Sequence, residues 1–191
     1  MADKQLDVLV ICGSLRKGSY NAALARTLPS LAPASMKLRS APSFANIPIY
    51  NADDQNSTGF PATATKLSDA IRAADGVIFV TPEYNYSIPG GLKNAIDWVS
   101  RMKDQPFKDK PVALQSAAGG ILGGSRAQYH LRQCLTSIDA ILFGRPEVIV
   151  TFAPQKFDEK TLTLKDATAL DLIRQQLAGF ETFVRRLAKV E

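Results

Sequence analysis

The sequence predicts an α/β domain in which a doubly wound sheet of five parallel strands is covered by helices on both faces. Two observations lead there: short, nearly continuous apolar runs recur along the chain, and segments of helical period separate them. Parallel neighbours need such crossovers, and right-handed crossovers put helices on both sides. A third is length: 191 residues suit one core, so residues 1–191 are read as a single domain.

Leu6 to Cys12 (LDVLVIC) is almost unbroken in aliphatic residues, as a strand buried on both faces requires, and reads as the central strand. Ser19 to Leu28 follows as a helix that Pro29 ends. Met36 to Ala41 is a weaker strand, and Pro42 to Pro61, with the polar run Asn51 to Thr58, reads as a long surface loop. Leu67, Ala70, Ile71 and Ala74 fall at i, i+3, i+4 and i+7, the stripe of a helix packed on a sheet; Gly76 to Thr81 (GVIFVT) is then a buried strand. The order repeats, with Leu92, Ala95, Ile96 and Val99 on one helix, Pro111 to Ser116 as strand, and Ala127, Leu131, Cys134 and Ile138 as the stripe of the next helix. Ala140 to Phe143 and Glu147 to Phe152 supply a last strand, interrupted by Gly144-Arg145-Pro146. Asp166 to Val190 closes the chain as a helix whose Leu170, Ile173, Leu177, Phe180, Val184 and Leu187 pack on the sheet. A flavodoxin-like strand order, 2-1-3-4-5, is expected, which places a ligand at the carboxyl ends of the first, third and fourth strands.

Composition narrows the chemistry. Cys12 and Cys134, both read as reduced structural thiols, offer no disulfide framework, and no metal site is expected. His130 is the single histidine, which argues against Ser-His-Asp hydrolysis. The net charge of +5 is spread without a basic cluster, so nucleic acid is not an expected partner. With neither a leader-like start nor an apolar run near the ~20 residues of a bilayer span, a cytoplasmic location is expected.

The loop after the first strand, Gly13-Ser14-Leu15-Arg16-Lys17-Gly18-Ser19-Tyr20-Asn21, runs into a helix N-terminus. Unpaired backbone N–H groups, the helix dipole, the side chains of Ser14, Ser19 and Asn21 and the charge of Arg16 suit a phosphate. Gly13 and Gly18 have P-loop spacing, but Ser19 stands where the phosphate-reaching lysine belongs, and Leu15 breaks the dinucleotide fingerprint. A monophosphate is the natural guest. The loop after the third strand, Pro82-Glu83-Tyr84-Asn85-Tyr86-Ser87-Ile88-Pro89-Gly90-Gly91, offers flat aromatic surface and an amide for a planar ring.

Together GSLRKGSYN and PEYNYSIPGGLKNAIDW closely resemble the NAD(P)H-dependent FMN reductase family, especially its soluble quinone and chromate reductases, and the resemblance runs through Ser116-Ala117-Ala118-Gly119-Gly120. It implies FMN as cofactor, NADPH or NADH as donor, and a quinone or another small oxidant (chromate, free flavin, an azo compound) as acceptor in a ping-pong cycle. By that match Gly13, Ser14, Arg16, Gly18, Ser19 and Asn21 hold the phosphate and ribityl end, Pro82, Glu83, Tyr84 and Asn85 meet the isoalloxazine, and Ser116, Gly119 and Gly120 meet its other edge. With the chemistry on the flavin, no catalytic side chain is expected. A flavodoxin-type electron carrier without nicotinamide turnover is the alternative. Trp98, Arg101 and Tyr129 lie off the apolar stripes of their helices, and the family forms dimers, often paired into tetramers, with Arg101, Tyr129 and Glu147 at positions linked to subunit contact. These four residues are the expected interface of a homodimer or homotetramer.

Overall fold

In β1 (Leu6–Cys12), Val8 and Val10 enter one hydrophobic cluster and Leu9 and Ile11 the other, so successive residues bury on opposite faces of the sheet. Burying each such side chain contributes roughly 1.5–3 kcal/mol, which is why a strand without a polar face takes the centre. The computed structural model describes residues 4–188. In it β1 pairs in parallel with β2 (Met36–Ser40) on one side and β3 (Gly76–Val80) on the other. Next comes β4 (Pro111–Ala117), then β5 (Ile141–Leu142), giving the order β2-β1-β3-β4-β5, with β6 (Val148–Val150) pairing further along β4. The expected order is met.

The helices divide between the faces as the two clusters require. Leu24 of α1 (Tyr20–Thr27), Ala153 of α6 (Ala153–Lys156) and Ile173, Leu177, Phe180 and Val184 of α7 (Ala167–Leu187) cover one face. The other is covered by Leu67 and Ile71 of α3 (Ala62–Ala73), Leu92, Ile96 and Val99 of α4 (Gly90–Ser100), and Leu131 and Leu135 of α5 (Ser125–Thr136).

Four expectations need correction. The polar run 51–58, read as loop, holds α2 (Ala52–Thr58): Asn51 caps it by accepting from the Asp53 N–H, Asp53 and Asp54 sit in its first turn, and Gly59 ends it at φ 81°. The last strand is two strands rather than one interrupted strand. Between β5 and β6 the chain bulges away from β4, and Gln176 fills the gap, its Nε2 donating to the carbonyls of Leu114 (3.2 Å) and Pro146 (2.7 Å). On α5 the buried stripe continues through Leu135, leaving Cys134 partly exposed. Trp98 is 1% exposed, packed edge-on against Tyr50 with its Nε1 donating to the Pro48 carbonyl at 2.8 Å, so it belongs to the core of this chain and offers no surface to a partner. Of the other expected interface residues, Arg101 lies over the Tyr50 ring, Tyr129 is exposed, and Glu147 is ion-paired to Arg132 at 3.3 Å. The predicted end of the last helix at Val190 falls outside the described residues, whose helix ends at Leu187. No described helix is long and apolar enough to cross a membrane.

Candidate functional site

Three loops leave the carboxyl ends of β1, β3 and β4. The first leaves β1 at Gly13, where a Cβ would sit 2.7 Å from Thr81 Oγ1 and 3.0 Å from Leu92 Cδ2, so the glycine is fixed by the close approach of the next strand end. Ser19 caps α1: its Oγ accepts from the N–H groups of Asn21 (3.2 Å) and Ala22 (3.3 Å). Ser14 Oγ accepts from the Arg16 N–H at 3.4 Å. Beyond these, among the described residues the backbone N–H groups of Ser14, Leu15, Lys17, Gly18, Ser19 and Tyr20 meet no protein acceptor and the exposed Arg16 guanidinium has no partner. This array of donors at a helix N-terminus suits a compact polyanion.

Asn21 is placed differently from expectation. It is 3% exposed, with Nδ2 donating to the Ala117 carbonyl (2.8 Å) and Oδ1 accepting from the Ala117 N–H (2.9 Å). Its amide ties the start of α1 to the end of β4, and so sets the distance between two of the loops. Ser116 likewise points inward. It is fully buried, donates to the Gly123 carbonyl (2.7 Å) and accepts from Gln128 Nε2 (2.8 Å), anchoring the loop without facing it.

In the loop after β3, Tyr84 and Ser87 exchange backbone hydrogen bonds of 2.9 and 3.0 Å across Asn85 (φ 47°) and Tyr86 (φ 68°), the positive pair that a type I′ turn demands. Tyr84 and Asn85 are exposed, and Pro82 is buried at the base. Three side chains bind this turn to α5. Glu83 accepts from Arg126 Nη1 (3.2 Å) and from the Ala127 N–H (3.3 Å), Arg126 lies 3.7 Å over the Tyr86 ring, and Ser87 Oγ meets His130 Nδ1 at 2.9 Å. Because the N-cap of α5 is Gly124, the Glu83 carboxylate caps that helix from another loop. The loop after β4 exposes Gly119 and Gly120, whose N–H groups are unspent, and a Cβ on Gly120 would meet nothing within 4 Å. Its far end is rigid, since a Cβ on Gly124 (φ 94°) would press on Ser116 Cβ at 2.8 Å and one on Gly123 (φ 57°) on Ile149 at 2.6 Å. Gly123, Gly124, Arg126 and His130 join the site without being among its expected residues; the Gly-Gly pair before a helical stripe is the local signal for the first two.

Unpaired amides thus gather at residues 14–20 and at Gly119 and Gly120, and between them stands a turn presenting a tyrosine ring. A dianionic head fits the first and a carbonyl-bearing ring edge fits the second, which is the donor set that FMN needs. A cavity of about 190 Å³ opens beside loop 13–20, lined by Cys12, Ser14, Ala41 and Phe44 among others. Burial pushes the Cys12 thiol up from its ordinary value, so little thiolate forms there near neutrality. The larger cavity, about 550 Å³, lies at the opposite end of the strands against Leu6, Asp75, Lys110 and Pro111. There the N–H groups of Asp75, Asp109, Lys110 and Ile141 are all paired to backbone, whereas those of Ser14 and Leu15, which line the smaller cavity, are not.

Comparison with known proteins agrees. Residues 6–155 match the family model of the NADPH-dependent FMN reductases. The chain is 51% identical over 184 residues to a quinone reductase of Escherichia coli, covering 96% of this chain and 98% of that one. It is 46% identical over 182 residues to an NAD(P)H-dependent FMN reductase of Pseudomonas aeruginosa, covering 95% and 97%. Among solved structures it superposes on FerB, a flavoenzyme NAD(P)H:(acceptor) oxidoreductase of Paracoccus denitrificans, with a TM-score of 0.83 at 29% identity, covering 95% of this chain and 98% of that one.

Proposed function

Since the chain belongs to the NADPH-dependent FMN reductase family, an oxidoreductase family that uses FMN with a nicotinamide donor, we propose that it reduces quinones with NAD(P)H. The observation that carries this reading is the pair of loops with unspent amides, 13–20 and 119–120, joined through Asn21 and Ala117. Ser14, Arg16, Gly18 and the capped start of α1 hold the phosphate; Pro82, Tyr84 and Asn85 flank the ring; the Gly119 and Gly120 amides face its carbonyl edge and favour negative charge there. Bound FMN supplies the two-electron chemistry that the side chains lack. Glu83 positions the ring loop, its carboxylate being committed to Arg126 and the α5 N-terminus. The overall balance is NAD(P)H plus H⁺ plus quinone giving NAD(P)⁺ plus hydroquinone. Chromate, free flavin and azo compounds are further acceptors of this reading, which also takes residues 1–191 as one domain, working in the cytoplasm as a homodimer or homotetramer with Arg101, Tyr129 and Glu147 at the contact.

The test mixes the FMN-loaded protein anaerobically with NADH or NADPH and follows the flavin absorbance, then adds a quinone. Bleaching by a nucleotide and recovery on quinone addition is the expected result. Bound FMN that neither nucleotide bleaches would leave an electron carrier in place of a reductase.

A further inference from the structure

We propose that Phe152, Ile121 and Leu122 form an apolar lip beside the flavin loops that selects acceptors bearing an apolar tail, so that the substrate class is alkyl- or prenyl-substituted quinones. The inference rests on the reductase reading above and adds which quinones are favoured. Phe152 is its strongest support. At φ 49° it occupies the left-handed region that bulky side chains avoid, it is 40% exposed, and it joins neither hydrophobic cluster. The fold of the monomer therefore gains little from an aromatic ring there.

Its neighbours say where the ring stands. The Phe152 N–H donates to the Gly120 carbonyl (3.2 Å) and the Ala153 N–H to the Ala118 carbonyl (3.0 Å), so residue 152 flanks the loop that carries the free Gly119 and Gly120 amides. At the crest of that loop Ile121 is 72% and Leu122 40% exposed. These side chains are held out rather than loose: the Gly123 N–H donates to the Gly120 carbonyl, the Ser125 N–H to the Leu122 carbonyl, and Ser116 fixes Gly123. Leu15, Tyr84 and Tyr86 are exposed on the two neighbouring loops, so large apolar surface gathers at the carboxyl edge of the sheet, the pattern of a site for an apolar ligand. An acceptor whose head stacks on the flavin ring that the Gly119 and Gly120 amides would hold lays its substituents along the lip. The quinone takes two electrons and two protons to become the hydroquinone; NAD(P)H supplies both electrons and one proton as hydride, and solvent supplies the other proton.

The experiment measures kcat/KM of the FMN-loaded protein for 1,4-benzoquinones carrying n-alkyl chains of increasing length. Full burial of a methylene corresponds to about four-fold, and cover on one side to about two-fold per carbon, which is the expected gain. In Phe152→Gly, which also relieves the backbone, and in Ile121→Ser, the gain per carbon flattens. Because the slope is read within each variant, a loss of folded or loaded protein lowers every member of the series alike and leaves it intact. A flat series in the parent protein, or an unchanged slope in both variants, overturns the lip while the reductase reading stands. Failure of both nucleotides to bleach the flavin overturns the reductase reading and the lip together. Should Phe152→Gly lower the mass in sedimentation and leave the slope unchanged, the lip is a contact between copies of this chain and the proposal is wrong.

Discussion

Asn21 supports more of the site than its size suggests. Its amide makes two hydrogen bonds to the backbone of Ala117, 96 residues away, both of them buried. Asn21→Ala removes the partner and leaves a buried N–H and C=O unpaired, a cost of about 2–3 kcal/mol. Urea unfolding of the apoprotein should show that loss as a lower midpoint at unchanged slope; a change below about 0.5 kcal/mol would mean that water takes the place of the amide. The same residue marks a limit of the sequence. A polar side chain two positions past an N-cap, beside a loop rich in donors, reads as a ligand contact, and nothing local in the chain tells that its partner lies on β4. Ser116 misled in the same way, and Trp98 in reverse: its helical position is off the apolar stripe, yet Pro48 and Tyr50 of a distant loop cover it.

Elements whose signal is local were legible. β1, β3 and β4 read directly from apolar runs, and the α3 and α4 stripes from their 3.6 period, because those patterns depend only on which face meets the sheet. What stayed hidden were ends and joints. α2 has the Asn cap, early acids and final glycine of a helix, but no apolar stripe, so periodicity missed it. The start of α5 was harder still, since its capping carboxylate comes from Glu83, on the loop after β3. This arrangement makes a prediction about the element. Glu83→Gln keeps the shape but removes the charge from Arg126 and from the helix dipole; as Arg126 is 38% exposed, the stability cost is held to about 1 kcal/mol. FMN binding should weaken about three- to ten-fold as the Tyr84–Ser87 turn loosens, measured by quenching of flavin fluorescence. The rate of flavin reduction at saturating cofactor should stay within about three-fold of the parent, whereas a general base at this position would make it fall by about a hundred-fold or more.

For the molecule as a whole, the two edges of the sheet divide the work. At the amino edge the N–H groups of Asp75, Asp109, Lys110 and Ile141 are spent within the fold; at the carboxyl edge residues 14–20 and 119–120 hold N–H groups unspent, and a ligand that satisfies them binds the folded state alone. FMN at a hundred times its Kd should then stabilise the apoprotein by about 2.7 kcal/mol, a rise of roughly 5–11 °C in Tm at this chain length. Riboflavin has the same ring without the phosphate, and so tests the two loops separately. At equal concentration it should raise Tm by less than half as much, because the donors of residues 14–20 and the Arg16 charge have nothing to hold. Arg16→Ala should shrink the shift given by FMN and leave that given by riboflavin unchanged, as the Arg16 side chain has no partner among the described residues whose loss would disturb the ring loops. Equal shifts from FMN and riboflavin in the parent protein would show that loop 13–20 does not carry the phosphate, and the placement of the cofactor along the sheet edge would fall with it.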